Sequence, residues 1–327
     1  MRRRSFIASL ALLPLAPANP YAQNARTKGG VNPLVGWLGV PDRQSGAPFL
    51  AAFTGAMAKA LFVEGRDYRL AARWADSKNE ALAPLMAELM SLKPAVLIVE
   101  GTRGAELSAQ SGAVPTVAVS MAEGTALKVA GSNFAHPSGN VTGVLTSPQY
   151  VTSKLFELAK QTFPTVKLAG VIIDSIVYDL QMGKAATAAA ALGIEMRVEA
   201  VSIPSEIAPA VARLAASGVD LIIAPSSAMF RAQRKTIVEV IEASRTPAIY
   251  DNPILVEEGG LMSYGVDTKA SFARSADLVL RLVRGISVAD VPIEQPTPVL
   301  TLNIATARRQ GLVIPPAILA LANQVFE

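Results

Sequence analysis

The sequence predicts an α/β protein of two domains, each built on a parallel sheet with helices on both faces. Three observations lead there. Short apolar runs alternate with longer helical segments over most of the chain. The runs are apolar on successive residues rather than on every second one, as a parallel strand covered on both faces requires. A stretch rich in Gly, Asn, Ser and Thr, GSNFAHPSGNVTGVLTS at 131–147, lies between two blocks of similar size and reads as a junction. With 327 residues, 51% hydrophobic and 17% charged, the chain can bury two cores.

Taken in order, the first block offers strands at 34–38, 68–73, 95–99 and 116–119. Helices are expected between them at 48–61, 79–92 and 104–110. The run Ser77-Lys78-Asn79-Glu80 has the spacing of a capping box at the start of the second helix. The second block offers strands at 168–173, 196–201, 221–224 and 248–250, with helices at 151–162, 178–192, 206–216 and 229–243. Gly193 and Gly218 stand just past two Ala-rich helices, where a left-handed residue is needed and Gly adopts it most readily. Beyond 250 come a short capped helix at 253–258, a strand at 260–264, a helix at 271–284, the Pro-rich run 291–298, a strand at 299–303 and two helical pieces. These are too few for a third domain, so they complete the first two.

The amino-terminal 22 residues, MRRRSFIASLALLPLAPANPYA, have three Arg, a short apolar run and a Pro-broken stretch ending at Ala22. That layout predicts a cleaved export signal, through the Sec or the Tat route, and hence a periplasmic protein. Its removal takes three Arg and no acid, lowering the formal charge from +4 to +1. The basicity belongs to the signal, and nothing in the mature chain calls for nucleic acid. The chain has no Cys, which excludes disulfides, thiolate metal sites and a Cys nucleophile.

The search for chemistry is short. The single His, His136, stands in the junction before Pro137, so no Ser-His-Asp triad or ordinary zinc site can be assembled around it. Neither phosphate-binding glycine motif is present. Glu257 and Glu258 are neighbours on a helix end, about 100° apart, and would not flank one bond. What remains is the set of loops that follow the strands, where doubly wound sheets bind ligands. Hydroxyls and helix-start N–H groups recur there, which suits a small polar or anionic ligand. For each such residue, helix capping and ligand contact both stay open.

Six stretches stand out: FVEGRDYRLAARWAD at 62–76, LMAELMSLKPAVLIVEGT at 85–102, HPSGNVTGV at 136–144, GGLMSYG at 259–265, PIEQPT at 292–297 and NIATARRQGLVIPPAIL at 303–319. Together they resemble the ABC transporter substrate-binding protein family that includes tryptophan and tyrosine binders. The resemblance covers nearly the whole mature chain. It implies a type I periplasmic binding fold, two Rossmann-like domains joined by three crossover segments near 142–147, 250–254 and 292–298. The first lobe is then 31–144 with 255–291, and the second is 145–254 with 292–327. Residues 259–265 are expected as a strand returning to the first lobe. The family's Thr after the third strand is matched by Thr102, and its Tyr-x-Asn by Tyr250-Asp251-Asn252. Its Asp-Pro after the fourth strand is replaced by Met121-Ala122-Glu123, and its Asn-Pro in the second domain by Asp174-Ser175, so the family does not fix the ligand.

The expected function is that of a monomeric periplasmic receptor that closes on a small organic ligand, an amino acid, aromatic or carboxylate-bearing compound. It delivers this ligand to an ABC permease in the inner membrane, with no cofactor, metal or catalytic residue. Candidate contacts on the first lobe are Gln44, Ser45, Thr102, Ser120 and Met121. On the second they are Asp174, Tyr178, Ser226, Ser227, Tyr250 and Asn252, with Tyr150 near the first crossover. A ligand sensor for a membrane receptor, or an exported α/β enzyme, is the alternative.

Overall fold

The first sheet is all parallel, in the order β2-β1-β3-β4-β5. Its strands are β1 (Leu34–Gly39), β2 (Arg69–Trp74), β3 (Val96–Glu100), β4 (Thr116–Met121) and β5 (Val141–Leu145). The computed structural model describes residues 32–148, 150–175, 178–225 and 227–327, and the expected export segment at 1–22 lies outside them. Helices α1 (Arg43–Lys59), α2 (Leu82–Ser91), α3 (Gly101–Ser111), α4 (Glu123–Ala130) and the distant α11 (Thr268–Val283) cover this sheet. On one face Trp37 of β1 stacks on Phe272 of α11, their ring centroids 5.0 Å apart, and Phe49 of α1 stacks on the same ring at 5.3 Å. On the other face Leu38, Leu82, Leu89 and Leu97 form the second half of the core.

The second sheet runs β12-β11-β10-β9-β8-β6-β7. Its strands are β6 (Leu168–Asp174), β7 (Glu195–Val201), β8 (Leu221–Ala224), β9 (Ala248–Tyr250), β10 (Met262–Gly265), β11 (Val299–Asn303) and β12 (Gln324–Phe326). All pairs are parallel except β10 with β11. Its helices are α5 (Tyr150–Thr162), α6 (Tyr178–Ala191), α7 (Ile207–Ala216), α8 (Ala228–Ala232), α9 (Arg234–Ser244), α10 (Pro253–Glu257), α12 (Ile304–Arg309) and α13 (Pro316–Leu321). Gly193 and Gly218 adopt φ of 66° and 73°, the left-handed stops expected after α6 and α7.

Several sequence expectations need correction. Residues 259–265 do not return to the first lobe: Met262 and Ser263 pair with Ile249 and Tyr250, and β11 closes on the other side. Glycine makes this possible, since a Cβ on Gly265 would sit 1.6 Å from the Asp251 carbonyl oxygen. With α10 packed on β10 and β11, the chain passes back at 266–267 rather than at 250–254, and the Asp267 carboxylate caps α11 by accepting from the Ala270 N–H at 3.1 Å. The proposed capping box fails because Ser77 is left-handed, at φ 61°, and the following turn starts from Lys78 with no side-chain cap. The helix expected at 229–243 breaks at Gln233 into α8 and α9.

Strand β5 and helix α4 were hidden in sequence. The junction composition masks β5, whose Gly143 lies so close to β4 that a Cβ would meet the Ala118 carbonyl oxygen at 1.9 Å. Passages between the sheets run side by side. Leu145 N–H donates to Glu294 O and Glu294 N–H to Gly143 O, both at 2.9 Å, and the Ser147 hydroxyl accepts from Val266 N–H at 3.2 Å.

Candidate functional site

Both sheets point the carboxyl ends of their strands toward a common cavity of about 530 Å³. The first lobe contributes Ser77 and Asn79 after β2, Glu100 to Arg103 after β3, and Ser120 with the start of α4 after β4. From the second lobe come Asp174 after β6, Ser202 after β7, and Ser227 to Met229 with Arg231 after β8. No helix among the described residues is long and apolar enough to cross a membrane, and no group of three or more His, Asp or Glu there could hold a metal ion.

At the end of β4 the register slips between Val119 and Met121, and Ser120 takes φ 62°, a conformation that costs a non-glycine residue about 1–2 kcal/mol. This bulge decides which neighbour sees the cavity. Ser120 faces it, while Met121 is wholly buried in the core, which corrects the expectation for Met121. Ala122 then starts α4 with no side-chain cap; its own N–H donates to the Thr102 hydroxyl at 3.2 Å. Gly124, Thr125 and Lys128 of α4 also line the cavity. Ser120 and Thr125 are 8% and 5% exposed, and among the described residues neither hydroxyl has a protein partner.

A buried ion pair crosses between the lobes at the cavity wall. Arg231 Nη2 donates to Glu100 Oε1 at 3.1 Å, with side-chain exposures of 5% and 1%. The other carboxylate oxygen, Oε2, accepts from the Val40 N–H at 3.2 Å. Beside it Arg234 bonds Glu258 at 2.8 Å and reaches the Ser45 carbonyl of α1 at 3.0 Å. Glu257 is likewise paired, with Lys269 at 2.6 Å, so both acids of the Glu257-Glu258 couple are held in ion pairs away from the cavity.

Of the sequence candidates, Thr102, Ser120, Asp174 and Ser227 come together on the cavity. Ser227 also caps α8, accepting from Phe230 N–H at 3.1 Å. Ser226 lies outside the described residues. Gln44 and Ser45 do not line it, and their N–H groups serve Asp42 Oδ1 at 2.8 and 3.0 Å. Burial pushes the Asp42 carboxyl up, but the hydrogen bonds from Ser45 and Gln44 outweigh it and hold the group below the usual carboxylate range.

Tyr250 and Asn252 are corrected to structural roles. Tyr250 is fully buried beneath α9 and α10, its hydroxyl without a partner, and burial followed by the charge of Glu242 pushes its ionisation far upward. Asn252 caps α10 at the Ile254 N–H (3.1 Å) and ties Val266 O and Thr268 Oγ1 at 3.1 and 2.7 Å, pinning the passage at 266–267. Tyr150, beside Tyr264, and Tyr178 are exposed and do not line the cavity. Sequence reasoning missed Arg231, Thr125 and Lys128 as cavity residues. Its one available signal was Glu100, a carboxylate ending an otherwise apolar strand.

The sequence profile described as ABC transporter substrate binding protein matches residues 53–326. The chain belongs to this family. A tyrosine-binding protein of Clostridioides difficile (strain R20291) is 25% identical to it over 159 residues, 48% of this chain and 45% of that protein. The chain thus matches about half the length of that curated relative. Among solved structures, the ABC domain from Streptococcus pneumonia in complex with L-Trp superposes with a TM-score of 0.80 at 21% identity, covering 90% of this chain and 100% of that one. An extracellular ligand-binding receptor from Verminephrobacter eiseniae ef01-2 gives 0.57 at 13% identity, covering 80% and 88%. The two lobes of this family member thus have the type I periplasmic binding architecture. Its family and these neighbours are binding proteins.

Proposed function

We propose that the protein is the periplasmic receptor of an ABC importer, a monomer that closes on a small carboxylate-bearing solute and hands it to a permease in the inner membrane. No bond is made or broken in this reading; contacts to both lobes shift a hinge equilibrium toward the closed form. The observation that carries it is the start of α4. An uncapped helix N-terminus, the hydroxyls of two mostly buried residues with no protein partner among the described residues, and Lys128 in the last turn of α4 converge on a cavity between the lobes. Free helix-start N–H groups with the helix dipole favour an anion, and the hydroxyls of Ser120 and Thr125 supply two more donors. On the opposite wall Asp174 and Ser227 complete the contacts, and Thr102 holds the start of α4 in place.

The test is a thermal-shift and calorimetric screen of amino acids, aromatic acids and small carboxylates on full-chain protein stripped of ligand by unfolding and refolding. A true ligand at 100 times its Kd stabilises by about 2.7 kcal/mol. The reading fails if no such solute raises the melting temperature.

A further inference from the structure

Two helices of the first lobe begin at the cavity, and neither start carries a side-chain cap. They are α3, at Gly101, Thr102 and Arg103, and α4, at Ala122 and Gly124. By contrast α1 and α11, whose starts do not line the cavity, are capped by Asp42 and Asp267. The two open starts lie side by side, since the Thr102 hydroxyl at the head of α3 accepts the Ala122 N–H at the head of α4 at 3.2 Å. Left-handed residues set them there: β3 passes into α3 through Gly101 at φ 75°, and β4 ends through Ser120 at φ 62°.

The side chains around these starts point to what they hold. Ser120 and Thr125, 8% and 5% exposed, both line the cavity, and their hydroxyls have no protein partner among the described residues. Thr102, which accepts from Ala122, keeps its own proton to donate. Lys128 lines the same wall. So does Arg103, which engages Glu106 through one nitrogen at 3.4 Å, with side-chain exposures of 44% and 33%. A pair so open is weak and leaves most of the guanidinium donors available. Among the acids, Glu100 is occupied by Arg231 and the Val40 N–H, and Glu123 is exposed and does not line the cavity. Asp174 on the facing wall is engaged by the protein itself.

The first-turn N–H groups of a helix lie outside its own ladder. Those of two helices, with three hydroxyls and two cationic side chains, exceed what one carboxylate can take, because it offers about four lone-pair positions. Donors left over would lose water on closure without gaining a partner. A second anionic group on the ligand satisfies them, and both helix dipoles favour it.

Resting on the receptor reading above, we propose that the solute is a dicarboxylate whose two anionic groups are both held by the first lobe. One carboxylate lies at the start of α4 with Ser120, Thr125 and Lys128. The other lies at the start of α3 with Thr102 and Arg103.

The experiment titrates the refolded full chain with succinate, glutarate and L-glutamate, each beside its monoamide (succinamate, glutaramate and L-glutamine), and with L-tryptophan as an amino acid with one carboxylate. At least one dicarboxylate is expected to bind, with its monoamide at least about 100-fold weaker, because a site built to hydrogen-bond rejects an analogue that leaves its donors unpaired. Lys128→Met and Arg103→Gln, both at exposed side chains, should each weaken that binding by about tenfold with unchanged circular dichroism. A monoamide or L-tryptophan that binds as tightly as the best dicarboxylate overturns the inference and leaves the receptor reading standing. So does a dicarboxylate affinity unchanged in either variant. If none of these probes and no other carboxylate or amino acid binds, the inference and the receptor reading fall together.

Discussion

Removing the Arg231 guanidinium should push the two lobes apart without unfolding either. Glu100 is 1% exposed where it meets Arg231, and its second oxygen already serves the Val40 N–H. In Arg231→Met the docked form keeps a buried carboxylate with no counter-charge, a change that costs about 3–5 kcal/mol. Once the lobes separate, Glu100 regains water, so most of that cost falls on docking rather than on the fold. Converted at 1.4 kcal/mol per decade, the equilibrium shifts toward separation by roughly 10²- to 10³-fold. The absence of Cys makes the assay direct. Spin labels on Glu80→Cys in the first lobe and Lys235→Cys in the second, both exposed, report the distance between lobes by pulsed electron resonance. Arg231→Met should move the distribution to longer distances, and Glu100→Gln in the same background should move it back, because an amide can still accept from Val40 and needs no counter-charge. An unchanged distribution in Arg231→Met, or failure of Glu100→Gln to reverse the change, would refute the assignment of this pair to lobe docking.

Other consequences follow from groups outside the cavity. Tyr250→Phe removes a buried hydroxyl that has no partner, so stability should hold or rise by about 1 kcal/mol in urea titration with ligand affinity unchanged; a tenfold loss of affinity would return Tyr250 to the site. Burial first, and the charge of Glu64 second, push the Tyr68 phenol up to about 12. A raised folded pKa means a contribution complete below the unfolded value near 10 and lost as pH climbs toward 12, so Tyr68→Phe should gain on the parent only across that alkaline window. Asp220 accepts the N–H groups of Lys167 and Leu168 at 2.9 Å each, and these bonds hold its carboxyl below the usual range. Its contribution is therefore present above about pH 4 and lost as pH falls, and the melting difference between parent and Asp220→Asn should shrink in acid. Gly265→Ala drives a methyl into the Asp251 carbonyl and should destabilise the second lobe by about 2 kcal/mol or more, read from its denaturation midpoint.

How much could be read beforehand depends on the range of the forces involved. The apolar runs of β1, β3, β6 and β8 identify themselves, because a strand buried on both faces must be apolar at successive positions. Gly193 and Gly218 mark helix ends for an equally local reason, a left-handed backbone. Of the candidates taken from the loops after the strands, Thr102, Ser120, Asp174 and Ser227 line the cavity, since topology alone places those loops at the cleft. Met121 does not line it, because a one-residue bulge exchanges inside for outside, and neither do Tyr250 and Asn252, which lie under helices packed over them.

The sequence by itself determined the alternation of strands and helices, the two cores and the family likeness, because hydrophobic periodicity and backbone preference act between residues close along the chain. The tertiary structure alone decided that β10 belongs to the second sheet, that α4 presents its first turn to the cavity, and that Glu100 meets Arg231 across 131 positions of sequence. Hydrogen-bond register and charge pairing join residues the chain brings together only after it has folded, and no local pattern records them.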